Sequence, residues 1–138
     1  MVKKAHQSQF HRSQIGRAQR YFRLHLRERV SLSRIAREAG SSSYHFARLF
    51  QAYVGETPFE FLRRIRLVTG LRMLQEDTDA SVTEIALSVG LSDHAHLCRL
   101  FRRAFGQSPS TWRRERKMPE QSVVDEKLAR DQAATFQR

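Results

Sequence analysis

The chain has 138 residues, 40% of them hydrophobic, and 25 Lys and Arg against 14 Asp and Glu give it a formal net charge of +11. That apolar content suits one modest core or two very small ones, and the charge points to a polyanionic partner. No apolar run approaches the ~20 residues that cross a bilayer, the start MVKKAHQSQFHRSQ lacks the apolar segment of a signal peptide, and a single cysteine, Cys98, excludes an internal disulfide and fits a reducing compartment.

The expected location is therefore the cytoplasm, in association with the nucleoid. The basic character belongs to the body of the chain: residues 1–117 carry 22 Lys and Arg against 10 Asp and Glu, and residues 118–138 carry 3 against 4. Most of the cations are arginines, which pair with phosphate and with guanine in bidentate fashion.

In chain order, residues 1–11 are expected to form a disordered arm. From about Arg12 to Arg29, Ile15, Ala18, Phe22 and Leu26 follow a helical period, with Arg17, Arg20, Arg23 and Arg27 off the stripe. Two short helices follow, about Ser31–Ala39 and Ser43–Val54. Thr57 and Pro58 then cap and start a long helix, predicted over 58–76, whose apolar residues Phe61, Leu62, Ile65, Leu67, Leu71 and Leu74 face two sides. About seventeen residues make a rod of roughly 25 Å. With helix packing added at each end, it suits two reading helices one DNA turn apart, roughly 34 Å. Gly70 within it costs about 1 kcal/mol of helix propensity relative to alanine, and close packing against a neighbouring helix is the expected reason for it.

After the acidic link Glu76–Asp79 comes a second pair of helices. Ser81 and Glu84 have the spacing of a capping box, and Ile85, Ala86 and Val89 recur at helical spacing. Gly90 can adopt the left-handed conformation that ends a helix, and Ser92 can cap the next one. In that next helix Leu97, Leu100, Phe101 and Phe105 make an apolar stripe, while His94, Ala95, Cys98, Arg99, Arg102 and Arg103 lie off it. Two short helices, a glycine turn, and a polar, basic open face on the second helix define a helix-turn-helix. Arg113, Arg114, Arg116 and Lys117 are placed to end a last helix beside a phosphate backbone, and the tail from Glu120 is electrically balanced.

The same pattern occurs about fifty residues upstream. Ser31 matches Ser81, Ile35-Ala36 match Ile85-Ala86, and Gly40 matches Gly90. Beyond the turn Arg48 matches Arg99, Phe50 matches Phe101, Gly55 matches Gly106 and Pro58 matches Pro109. The second copy thus carries one extra residue between its glycine and its arginine. An internal repeat of this kind means two copies of one supersecondary unit.

The run Ile85-Ala86-x-x-x-Gly90-Leu91, then Leu97-x-Arg99-x-Phe101 and Gly106-x-x-Pro109-x-x-Trp112-Arg113, resembles the signature of the AraC/XylS family of bacterial transcription regulators. The upstream copy resembles that family's first helix-turn-helix, and the likeness spans roughly residues 12 to 115. Leu91 and Leu97 stand where the family usually has phenylalanine, and Gly70 where it usually has alanine. The resemblance implies an all-α fold of about seven helices, with helix-turn-helix subdomains over 12–57 and 77–117 joined by the linker helix. It implies an activator that contacts RNA polymerase. A chain of this length resembles the stand-alone DNA-binding members, with no cofactor.

In each second helix the face opposite the apolar stripe near the N-terminus should meet base edges. That face comprises Ser43, Tyr44, Ala47 and Arg48 in the first copy, and Asp93, His94, Ala95, Cys98 and Arg99 in the second. The resemblance lands on Tyr44, Ala47, Arg48, His94, Ala95, Cys98 and Arg99 as base contacts. Arg48 and Arg99 can fork onto guanine, each worth ~1–3 kcal/mol of discrimination, or bind phosphate. Ala47 and Ala95 offer a methyl suited to thymine. Tyr44 either packs on the DNA backbone or is a partly buried core ring. His94 can hydrogen-bond a base or phosphate, and Asp93 either caps its helix or accepts from cytosine. Ser43, Thr57, Arg102, Arg103, Ser108 and Arg113 are the expected backbone contacts, Thr57 and Ser108 being caps whose neighbouring N–H groups can also meet phosphate.

His94, His96 and Cys98 do not make a metal site: His96 lies on another face and a fourth ligand is missing. Enzyme signatures are absent, with no glycine-rich phosphate loop, nucleophile elbow or isolated carboxylate pair. Two motifs of different sequence imply an asymmetric double-stranded promoter site bound by a monomer. The rival readings are an architectural DNA-binding protein without sequence preference, and an adaptor that binds RNA polymerase.

Overall fold

In the computed structural model residues 2–76 and 79–116 are described. They form seven α-helices and no strand: α1 (Val2–Leu24), α2 (Leu32–Glu38), α3 (Ser43–Val54), α4 (Pro58–Glu76), α5 (Val82–Ser88), α6 (His94–Phe105) and α7 (Pro109–Arg116). The expected tail, 118–138, lies outside the described residues, as do Asp77, Thr78 and Lys117. The chain divides into two compact units between Arg63 and Arg64, inside α4.

In the first unit α1, α2 and α3 pack on one another. Ile15, Ala18 and Phe22 of α1 are buried with Ile35 and Ala36 of α2, Phe46 and Phe50 of α3, and Phe61 at the start of α4. Phenylalanine rings join these helices: Phe50 lies 5.7 Å from Phe46, 6.1 Å from Phe22 and 5.5 Å from Phe61. Tilted and edge-on rings at such distances add to the burial of their large apolar area.

Helix α1 begins at Val2, where a disordered arm is expected from the sequence. No glycine or proline interrupts residues 2–11. The His6 ring closes back on the Val2 carbonyl at 2.7 Å, and the His11 ring meets His45 and Tyr53, each at 6.0 Å. These anchors are imidazole and phenol edges, which apolar periodicity does not register. At the other end α1 stops at Leu24, short of Arg29. His25 stacks on Tyr21 at 4.2 Å and its Nδ1 reaches Glu28 at 3.0 Å, turning the chain.

The second unit repeats the scheme with the remainder of α4 in the place of α1. Leu71 and Leu74 are buried with Ile85, Ala86, Val89 and Leu97, and Phe101 packs 6.1 Å from Trp112 of α7. Gly70 of α4 faces the motif: a Cβ there would lie 3.7 Å from both Ile85 Cγ2 and Leu97 Cδ1. That is ordinary contact, so the site accepts a methyl. Burial of Arg66 on α4 pushes its pKa down, by desolvation of the guanidinium.

Both turns close identically. Gly40 and Gly90 have φ of 72° and 82°, the left-handed region open to glycine. The next amides, Ser41 and Leu91, donate to Ala36 and Ala86 carbonyls at 2.8 and 2.9 Å, the six-to-one bond that ends helices this way. The extra residue of the second copy lies in this turn: one residue separates Gly40 from the α3 cap Ser42, whereas Leu91 and Ser92 separate Gly90 from the α6 cap Asp93.

Candidate nucleic-acid interface

A reading helix must start in a fixed place, and each is set by a cap. The Ser42 hydroxyl accepts from the His45 amide at 3.4 Å. For α6 the cap is Asp93, not Ser92: its carboxylate accepts from the His96 amide at 2.8 Å, while the Ser92 hydroxyl sits 3.3 Å from His96 Nδ1. A charged acceptor makes the stronger bond to an amide and also faces the positive end of the helix dipole. Among the alternatives for Asp93, the structure thus has it capping.

On α3, Tyr44 is 72% exposed, which removes the buried-ring reading for it. Arg48, one turn on, is exposed, and Ser43 and Ala47 are half-buried beside them. Arg48 Nη1 donates to the Tyr44 hydroxyl at 3.2 Å, with the guanidinium carbon 5.5 Å from the ring centroid. On α6, His94, Ala95 and Arg99 are exposed, as are Arg102 and Arg103.

Cys98 is a correction. Expected on the open face, it is 9% exposed, and its Sγ lies 3.5 Å from His94 Nδ1. It sits between Leu97 and the Phe101 stripe, and a thiol behaves as a small apolar group, so it joins the core edge and is covered by the imidazole. His94 and Cys98 gain no third ligand: among the described residues no group of three His, Cys, Asp or Glu could hold a metal.

Arg113 Nη1 donates to the Ala80 carbonyl at 2.6 Å, which ties α7 to the residue before the α5 cap and uses one of the five guanidinium N–H donors. Thr57 and Ser108 are caps, accepting from the Glu60 and Thr111 amides at 3.2 Å each. The Thr57 N–H is itself taken by Glu60 Oε2 at 2.8 Å. That bond and the Thr57 hydroxyl hold the Glu60 carboxyl below the usual carboxylate range.

One residue escaped the sequence reading. Gln14 of α1 is 2% exposed, and its amide donates to the Gly40 carbonyl at 3.3 Å, fastening α1 to the turn ahead of α3. The available signal was a polar residue one helical turn before Ala18 on the stripe.

Each unit therefore presents a capped, partly basic helix behind a glycine turn, which places the protein in the helix-turn-helix class. A family profile for the helix-turn-helix domain matches residues 35–115. The chain is 34% identical over 93 residues to the probable transcription factor PqrA of Proteus vulgaris, covering 67% of this chain and 75% of that protein. It is 40% identical over 92 residues to the transcriptional activator RhaS of Escherichia fergusonii, covering 67% of this chain but 33% of RhaS. Among solved structures, an AraC-type regulator from Chromobacterium violaceum superposes with a TM-score of 0.70 at 28% identity, over 78% of this chain and 95% of that one. The DNA-binding domain of AdpA, solved in complex with a target DNA, superposes with a TM-score of 0.69 at 28% identity, over 78% and 97%. The chain belongs to the AraC-type helix-turn-helix family of DNA-binding transcription regulators, a family of regulators and not of enzymes.

Proposed function

We propose that the protein binds an asymmetric double-stranded promoter site as a monomer, with α3 and α6 in adjacent major grooves, and activates transcription by contacting RNA polymerase at the cytoplasmic nucleoid. The observation that carries the reading is the repeat itself. Arg48 and Arg99 occupy matched, exposed positions on two similarly started helices, but their neighbours differ: Tyr44 and Ala47 in one, His94 and Ala95 in the other. Like frames with unlike side chains suit two different half-sites. The likeness to a domain solved on its target DNA supports the DNA partner, and the likeness to a named activator supports the direction of regulation. Arg102 and Arg103, with Ser43, are the proposed phosphate contacts; Arg48, Arg99, Tyr44, Ala47, His94 and Ala95 face the bases.

The test is site selection from a random duplex library at about 150 mM salt, where phosphate contacts alone give weak binding. A consensus of two unlike blocks about one helical turn apart, one blurred by Arg48→Ala and the other by Arg99→Ala, is the expected result. Enrichment of no sequence, with both variants uniformly weaker, would leave an architectural protein. Polymerase recruitment on a selected site, measured by transcription with purified components, tests the activator half.

A further inference from the structure

We infer that Tyr44 is a positioning residue for Arg48, its phenolic oxygen fixing which edge of the guanidinium meets a base, so that α3 is the pre-set reader and α6 the adaptable one. This rests on the proposed role of α3 as a recognition helix.

Tyr44 and Arg48 are four residues apart and so share one face of α3. Tyr44 is largely exposed, so the ring is not held by the core, yet it carries two contacts with the arginine: Nη1 to the hydroxyl at 3.2 Å and the guanidinium over the ring at 5.5 Å. A guanidinium has five N–H donors in a rigid plane. With one Nη1 hydrogen committed to Tyr44, the Nη2 and Nε hydrogens form the free edge of the fork. Two parallel donors match the O6 and N7 acceptors of guanine.

The rotamer freedom of a long side chain is lost on engaging a base. At Arg48 part of that loss is already taken in the free protein, which favours binding by pre-organisation. Helix α6 lacks the device. The residue matching Tyr44 is Ala95, with a methyl only, and the Arg99 side chain makes no hydrogen bond or ion pair among the described residues. Arg99 therefore adopts its reading geometry only on DNA.

The experiment compares Tyr44→Phe with Arg48→Ala and the unaltered chain, on duplexes that carry guanine or adenine at the position blurred by Arg48→Ala. Tyr44→Phe removes one oxygen from a solvent-exposed ring and keeps the ring under the cation, so folding is not at stake. The expected result is a guanine preference about 5-fold lower in Tyr44→Phe, the worth of about one hydrogen bond. Melting temperature and the block read through Arg99 should be unchanged. A Tyr44→Phe preference equal to that of the unaltered chain, with Arg48→Ala abolishing it, overturns the positioning role and leaves α3 a reading helix. If Arg48→Ala leaves the consensus intact, α3 is not the reader and the inference falls with that premise.

Discussion

Helices α3 and α6 begin at equivalent points of their repeats, yet different chemistry starts them and different chemistry covers their inner faces. Ser42 holds the His45 amide at 3.4 Å, and Asp93 holds the His96 amide at 2.8 Å. Behind α3 lies a cluster of four phenylalanines, Phe22, Phe46, Phe50 and Phe61. Behind α6 the facing residues are mostly aliphatic, with Leu91 and Leu97 buried and Phe101 meeting Phe105 at 4.6 Å and Trp112 at 6.1 Å. The glycine turns have the same hydrogen bonds in both. The helix-ending glycine conformation and its hydrogen bonds are thus shared by the copies, while turn length, core volume, cap charge and outer face vary. A duplicated motif keeps what ends its first helix and is free elsewhere.

The largest test of that contrast is in the cores. Phe50→Ala should cost about 3–5 kcal/mol, toward the upper end because three aromatic partners lose contact, and Phe101→Ala should fall toward the lower end. Circular dichroism in urea follows both units, and fluorescence of Trp112, the only tryptophan, reports the second. Equal losses would mean that ring clustering is not what separates the two cores. Next come the caps. Asp93→Ala should cost about 1–2 kcal/mol and Ser42→Ala about 0.5–1 kcal/mol, by the same measurements; a reversed order would show that the charge on Asp93 contributes nothing.

Gly70→Ala sharpens the comparison from the stabilising side. The methyl would meet Ile85 and Leu97 at ordinary contact, and the helix gains propensity, so a stabilisation of about 0.5–1 kcal/mol is expected. Destabilisation would show that the core behind α6 has no room, and that Leu97 is matched to the glycine. The smallest effect concerns pH. Thr57 and Glu60 form a reciprocal cap at α4, whereas the matching residues Ser108 and Thr111 at α7 contain no carboxylate. The Glu60 pKa is lowered in the folded state, so its stabilising effect is complete above the ordinary carboxylate range and is lost as pH falls through the folded value. Glu60→Gln should flatten that acid-side dependence slightly, and an unaltered slope in thermal melts at pH 3 to 6 would refute it.

Much of this was legible along the chain because its signals are local. Ile35-Ala36 and Ile85-Ala86 at helical spacing, Gly40 and Gly90 at turns that need positive φ, and Ser81 with Glu84 each act within a few residues. Composition and repeat therefore led to an all-α protein with two helix-turn-helix motifs and an outward Arg48 and Arg99. Residues 2–11 read as an arm along the chain because α1 is anchored at His11 by rings of α3, contacts that exist only after folding. Cys98 was misplaced because it lies on the border of the apolar stripe, where helical angle alone does not decide burial.

The sequence by itself determined helix class, turn positions, the repeat and the sign of the charge, since each follows from backbone sterics, side-chain period or simple counting. Tertiary structure alone decided the long-range hydrogen bonds. Arg113 places one guanidinium nitrogen on the Ala80 carbonyl, and Gln14 looks like a surface residue until it is found under Gly40. Hydrogen bonds between residues 26 and 33 positions apart have no local signature, because the partner is supplied by the fold.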